Sequence, residues 1–285
     1  MLLGSVAAAG RTAPAARATG IDVTILGCGS APPQPDTPAS GLLVRSGDGT
    51  LLLDCGPGVI AALGRRLDPR RLDAVVISHL HADHFLDLVG LRYLFPWRGL
   101  PRPVVRVLLP PGGRDRIAAL ERAIGERPGF LGEALELVEF DPGSEVCVGG
   151  LALSFVAARH YVPSWGLRLQ AADGTLLVYA GDTGPNPGLA AGARGAALLI
   201  LEATLADPFE DDPVRGHLTA PEALAAACEA SARRLLVTHF PSLRRPALEA
   251  WAAAASTPER PVLVARPGLR LRVREHLGGA PRRAG

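Results

Sequence analysis

From Ile21 onward the chain alternates short apolar runs with turn residues, and this spacing predicts strands interleaved with helices. Ile21–Leu26, Gly41–Arg45 and Leu51–Asp54 read as strands, the last two joined by the Gly47-Asp48-Gly49 turn. Gly58–Arg66 reads as a helix. Ala74–Ile77 reads as a short buried strand entering a histidine-rich loop, and Phe85–Leu94 as the helix after it. A second series runs through strand Val104–Leu109, helix Asp115–Ile124 and strands near Leu135–Phe140 and Leu151–Ala157. Leu167–Gln170 and Thr175–Ala180 form a hairpin across Ala172-Asp173-Gly174. Strand Ala197–Leu201, helix Pro221–Ala230, strand Arg234–Thr238, helix Pro246–Ala255 and the strands Val262–Val264 and Leu269–Val273 complete the pattern. Hairpins together with helical crossovers imply an α/β fold with a mixed sheet, or two sheets, covered by helices.

The chain has 285 residues, 48% of them hydrophobic and 20% charged, enough for one large domain with its own core and too apolar for a disordered chain. No apolar run approaches the roughly 18 residues of a membrane span, so no membrane association is expected. No Pro/Gly/Ser linker divides the chain, and a single domain is expected over residues 21–275. Residues 1–20 are read as a disordered tail and 276–285 as a second tail. The first tail lacks the charged start and clean apolar stretch of a secretory leader. Cys28, Cys55, Cys147 and Cys228 are widely spaced with no C-x-x-C pair, and read as buried free thiols of a cytoplasmic protein. All 30 Lys/Arg positions are Arg, and the net charge of +2 is too balanced for a strongly electrostatic nucleic-acid binder.

The chemistry concentrates in seven histidines: His79, His81, His84, His160, His217, His239 and His276. Three lie in Ser78-His79-Leu80-His81-Ala82-Asp83-His84, directly after a strand. Alternation puts His79 and His81 on one side of an extended segment, while Asp83 and His84 turn into the following helix. Two neighbouring metals, each taking a pair of these ligands, suit that arrangement, and imidazole with carboxylate favours zinc, manganese or iron over calcium. His160, Asp182 and His239 each follow a predicted strand as well, so a rigid scaffold presents every candidate at one edge. His276, in an Arg-rich terminus, reads as solvated.

His79-x-His81-x-Asp83-His84, with Asp54 upstream and His160, Asp182 and His239 downstream in order, resembles the metallo-β-lactamase superfamily over roughly residues 21–275. Leu201-Glu202-Ala203-Thr204 and Gly216-His217-Leu218-Thr219 are similar to its ribonuclease Z-like branch, which includes tRNA 3′-processing endonucleases and smaller phosphodiesterases, some acting on cyclic nucleotides. The resemblance implies a four-layer αββα sandwich with two divalent metal ions, zinc first and manganese or iron next, at one edge of the sheets. His79, His81 and His160 would bind one ion, Asp83, His84 and His239 the other, and Asp182 would bridge them. Asp54 would lie behind the ligands, fixing a ligand histidine or its loop, closing the Asp-Cys-Gly-Pro-Gly turn, or both. Asp83, His217 and Glu202 are the candidate catalytic residues: a protonated His217 would stabilise charge or protonate the leaving oxygen, and Glu202 would orient it and raise its pKa.

In ribonuclease Z proper a long tRNA-gripping arm is generally inserted between the equivalents of His160 and Asp182. Here 21 residues separate them, filled by the expected hairpin. A small phosphodiester is therefore expected before structured RNA. A lactone, thioester or β-lactam substrate and a non-catalytic metal scaffold are the other readings. Arg65, Arg66, Arg70 and Arg71, and also Arg244 and Arg245, form either phosphate-binding patches or solvated helix ends. Tyr93, Phe95, Trp97, Tyr161 and Trp165 are aromatics for a base-stacking or acyl pocket, or for the core. Pro32–Thr37 is expected to form a rigid loop near the mouth, and Leu88–Trp97 offers a surface for a homodimer.

Overall fold

The structure is a computed structural model that describes residues 20–96, 104–211 and 213–275. Of the expected N-terminal tail 1–20, residues 1–19 lie outside the described residues, as do the expected tail 276–285 with His276, and Trp97. Gly20 is described, and its amide donates to Asp173 at 2.6 Å.

Two seven-stranded sheets stack face to face, as the four-layer expectation requires. The first contains β1 (Ile21–Gly27), β2 (Gly41–Ser46), β3 (Gly49–Leu53), β4 (Ala74–Val76), β5 (Val105–Leu109) and β6 (Leu135–Glu139). The second contains β7 (Val146–Val148), β8 (Leu151–Ala157), β9 (Trp165–Gln170), β10 (Leu176–Tyr179), β11 (Leu198–Glu202), β12 (Leu235–Thr238) and β13 (Val262–Val264). The chain then returns through β14 (Arg270–Val273), which pairs with β1 and closes the edge of the first sheet. In each sheet the hairpin-joined strands are antiparallel and the helix-joined strands, β3 to β6 and β10 to β13, are parallel. A parallel connection must cross over the sheet, and the crossovers supply the helical layers.

Alternation divides the apolar residues between two cores. Leu51, Leu53, Ala74 and Val76 face the second sheet, whereas Leu52 and Val75 face outward to α1 (Val59–Gly64), α3 (Asp87–Tyr93) and α4 (Gly113–Ala123). The outer face of the second sheet is covered by α5 (Pro187–Gly192), α6 (Ala220–Glu229) and α7 (Arg245–Ala255), which contribute Leu189, Ala223, Ala227, Leu248 and Ala252. Among the described residues no helix is long and apolar enough to cross a membrane.

Several expectations need correction. The helix expected over Phe85–Leu94 is two helices, α2 (Ala82–Phe85) and α3, because the Asp87 amide donates to the Cys55 carbonyl at 3.0 Å instead of continuing the helical ladder. β7 and α5 were not anticipated. The thiols divide: Cys28 and Cys55 are buried, whereas Cys147 on edge strand β7 and Cys228 near the end of α6 are exposed. Of the stretch offered as a dimer surface, Leu88, Leu91 and Phe95 are consumed by the chain's own core, leaving Tyr93 and Leu94 exposed. Arg244 and Arg245 are not free helix-end cations. Arg244 donates to the carbonyls of Ala203 and Thr204 at 3.2 and 2.8 Å, and Arg245 to the Thr37 hydroxyl at 3.1 Å.

Candidate metal centre

Most candidate side chains leave the scaffold at or just beyond a strand, whereas Asp83 and His84 sit in α2 and His217 in the loop before α6. Asp54 follows β3, His79 follows β4, His160 follows β8, Asp182 follows β10 and His239 follows β12, while Glu202 ends β11. Asp54 and His239 take positive φ, 57° and 50°, a conformation that non-glycine residues hold only where the surroundings enforce it.

These residues converge in two clusters that share Asp182. His79, His81, His160 and Asp182 offer donor atoms all within 4.8 Å of one another, and so do Asp83, His84, Asp182 and His239. In the first, His81 Nδ1 lies 3.2 Å from His79 Nε2 and 2.9 Å from His160 Nε2. In the second, His239 Nε2 lies 3.1 Å from Asp83 Oδ2 and 3.3 Å from Asp182 Oδ2, and His84 Nε2 lies 3.3 Å from Asp182 Oδ1.

The residues behind these donors set the tautomers. His84 Nδ1 donates to Asp54 at 2.7 Å and His160 Nδ1 to the Gly216 carbonyl at 2.8 Å. Ser78 Oγ gives its proton to Asp54 at 2.9 Å and therefore accepts from His79 Nδ1 at 3.1 Å. Thr204 Oγ1 gives its proton to Glu202 at 2.5 Å and accepts from His239 Nδ1 at 2.9 Å. With their Nδ1 protons committed outward, His79 and His160 turn a bare Nε2 inward. At His84 and His239 burial opposes charge but the surrounding carboxylates raise the pKa, so their Nε2 faces Asp182 and Asp83 as a donor until a cation replaces the proton. Burial holds His79, His81 and His160 below the ordinary histidine pKa, which keeps them neutral bases.

The donor set fits divalent cations. Bare imidazole nitrogens about 3 Å apart repel one another unless positive charge lies between them, and carboxylates complete each cluster. Two of the innermost buried atoms, His84 Nε2 and Asp182 Oδ1, have no hydrogen-bond partner within the protein. The two atoms lie 3.3 Å apart without a well-formed hydrogen bond, and a cation at this meeting point of the two clusters would satisfy both in place of the His84 proton.

Beside the clusters stands a pair with a different character. His217 Nδ1 lies 2.9 and 3.0 Å from the two oxygens of the buried Glu202. Burial opposes charge on His217, but the hydrogen bond and negative charge of Glu202 outweigh it and raise the imidazole to about 9. Glu202 also accepts the Thr183 and Thr204 amides at 2.8 and 3.3 Å, so its oxygens are fully engaged as a carboxylate.

The aromatic expectations separate. The Tyr161 ring lies 4.8 Å from that of His160 and 5.5 Å from that of His217. Tyr93 packs on Phe130 and Phe95 is buried in the outer core, while Trp165 packs edge-on against Phe140. The Pro32–Thr37 loop walls a cavity of about 480 Å³ that reaches Asp83, and Ser242 N donates to Gln34 Oε1 at 2.6 Å to tie that loop beside His239. Sequence reasoning gave no role to Ser78, Tyr179, Thr183 or Thr204. Their only sequence signal is position: each lies within three residues of a motif residue.

Residues 50–240 match the sequence profile of the beta-lactamase superfamily domain. The uncharacterized protein ML1173 of Mycobacterium leprae is 39% identical over 226 residues, 78% of each chain. A ribonuclease Z of Mycobacterium marinum is 30% identical over 262 residues, 83% of this chain and 92% of that one. Among solved structures, the metallo-beta-lactamase fold protein YhfI from Bacillus subtilis superposes with a TM-score of 0.75 at 26% identity, covering 89% of this chain and 99% of the other.

Proposed function

The chain belongs to the metallo-β-lactamase superfamily, in its ribonuclease Z-like branch, and from that premise we propose that it is a metal-dependent phosphodiesterase acting on a small or cyclic-nucleotide phosphodiester. His79, His81 and His160 would hold one cation, Asp83, His84 and His239 a second, and Asp182 both. The imidazole-rich set favours zinc, then manganese or iron. When bound, such ions supply Lewis acidity, lowering the pKa of a water and neutralising charge on phosphoryl oxygens.

The observation that carries the phosphoryl assignment is the Glu202–His217 pair beside the ligand clusters. Hydrolysis forms a new P–O bond from water and breaks the bond to the leaving oxygen. That oxygen needs a proton when it leaves as an alkoxide, and His217, held protonated by Glu202, supplies it. Asp83, which borders the cavity under the proline loop, takes up the proton that the water loses. A lactone alkoxide or β-lactam nitrogen would need the same proton, so the preference for phosphorus rests on the pair together with its setting in Leu201–Thr204 and Gly216–Thr219 and on the likeness to a ribonuclease Z.

The name of the Mycobacterium marinum relative favours tRNA 3′ processing as a second reading. Two observations weigh against it: the β9–β10 hairpin fills the interval between His160 and Asp182, and the net charge is only +2. The test compares kcat/KM for cyclic nucleotides and for precursor tRNA, using zinc- or manganese-loaded protein. The proposal expects the small diesters to be preferred, and a preference for precursor tRNA replaces it with the second reading.

A further inference from the structure

Asp211 lies outside both ligand clusters and outside the Glu202–His217 pair, yet its carboxylate gathers three donors. One oxygen accepts the amides of Gly216 at 2.6 Å and His217 at 3.1 Å, and the other accepts the Tyr161 hydroxyl. The Asp211 carbonyl accepts the Arg215 amide at 2.8 Å, closing a tight turn onto the same residue.

The turn is held under constraint. Arg215 sits at φ 54°, a region that a side chain occupies only when its surroundings impose it. A Cβ on Gly216 would lie 2.6 Å from the Tyr161 ring, so glycine lets that ring rest directly against the backbone. On the opposite side, a Cβ on Gly184 would meet the Arg215 carbonyl at 1.7 Å. The backbone of Arg215 and Gly216 is thus pressed between Tyr161 and the loop that carries Asp182.

What this turn presents belongs to the site. Gly216 supplies the carbonyl that orients His160, and His217 supplies the charged imidazole. Glu202 fixes His217 from its ring end, whereas Asp211 fixes the backbone from which it hangs.

We propose that Asp211, with the Tyr161 hydroxyl, is a positioning residue that holds this turn so that His217 meets the leaving oxygen of a phosphodiester. The proposal rests on the phosphodiesterase reading. Asp211 touches neither substrate nor ligand imidazoles and acts through the two Asp211-bound amides. Removing its carboxylate strands two amides and frees a turn that is otherwise strained, so His217 loses its aim; of the ligand histidines only His160, bonded to the Gly216 carbonyl, shares that turn.

The experiment uses the full chain with Asp211→Ala, Asp211→Asn, Tyr161→Phe, the Asp211→Ala/Tyr161→Phe double variant and His217→Ala. Metal content and unfolding temperature are measured beside kcat and KM. Two leaving groups are compared: p-nitrophenolate from bis(p-nitrophenyl) phosphate, which needs no proton, and the ribose alkoxide of whichever of 3′,5′-cyclic AMP and 2′,3′-cyclic AMP turns over faster. Asp211→Ala is expected to retain metal and lower kcat on the alkoxide substrate by roughly 10- to 100-fold. KM should move by less than about threefold and the nitrophenyl ester should be spared, the pattern expected of His217→Ala. Asp211→Asn, which keeps an acceptor oxygen, should recover part of the loss, and Tyr161→Phe should add nothing to Asp211→Ala.

Equal effects on both leaving groups, loss of metal, or wild-type behaviour of Asp211→Ala overturns the proposal while leaving the phosphodiesterase reading in place. A metal-loaded wild type that hydrolyses no phosphodiester overturns both.

Discussion

His217 and Glu202 form a bifurcated hydrogen bond, with the imidazole Nδ1 2.9 and 3.0 Å from the two carboxylate oxygens. The same carboxylate receives the Thr204 hydroxyl, which in turn accepts from His239. One buried anion therefore charges the proposed acid and sets the tautomer of a ligand histidine. The two functions are linked in space although Glu202 ends β11 and His239 follows β12.

His217→Ala should lower turnover of an alkoxide-leaving diester by about 10²- to 10⁴-fold, the range for losing a general acid, with metal content unchanged. Elemental analysis beside steady-state kinetics checks this. Loss of metal in this variant would instead make His217 a ligand.

The pH profile has a definite sign. His217 is raised to about 9, and its protonated form is the donor, so kcat should stay level above neutrality and fall as pH rises through about 9. Glu202→Gln removes the negative charge and leaves burial, which lowers the histidine pKa, so the alkaline fall should move to lower pH. An alkaline limb that is the same in both proteins contradicts the assignment.

Asp54 accepts from the Ser78 amide and hydroxyl, His84 Nδ1 and the Tyr179 hydroxyl, so it orients a ligand histidine and closes its turn at once. Asp54→Ala should weaken metal affinity by roughly 10- to 100-fold. It should also cost about 3 kcal/mol or more of stability, because several buried donors lose their acceptor. Tyr179→Phe removes one donor only and should cost about 1 kcal/mol. Metal titration and denaturant unfolding separate the two effects.

Gly49 opens β3 at a point of contact between the sheets, where an added Cβ would lie 1.9 Å from the Gly149 carbonyl oxygen. Gly49→Ala should destabilise by about 1–3 kcal/mol while leaving kcat per folded molecule unchanged. A specific loss of kcat would mean that strain at this contact reaches the site.

Much of this arrangement is legible along the chain, because the strands are apolar runs and His79, His160, Asp182 and His239 each follow one. β7 escapes notice because it has three residues with an exposed cysteine between two valines. α5 is spelled Pro-Gly-Leu-Ala-Ala-Gly, a poor helix by propensity, and is held by the Asn186 cap and by burial of Leu189 and Ala190. The break between α2 and α3 depends on the Cys55 carbonyl, 32 positions before Asp87, and has no local signature. The same is true behind the ligands. Tyr179 reaches Asp54 only after the two sheets have stacked, and Tyr161 reaches Asp211 only after β8 and β11 have joined one sheet, so no spacing rule announces either bond.

The most direct test is hydrolysis of bis(p-nitrophenyl) phosphate by the purified chain loaded with zinc or manganese, with and without chelator. The account predicts turnover that chelation abolishes and added metal restores. A folded, metal-loaded protein that leaves this diester intact would contradict it and transfer the site to carbonyl substrates such as lactones, thioesters or β-lactams.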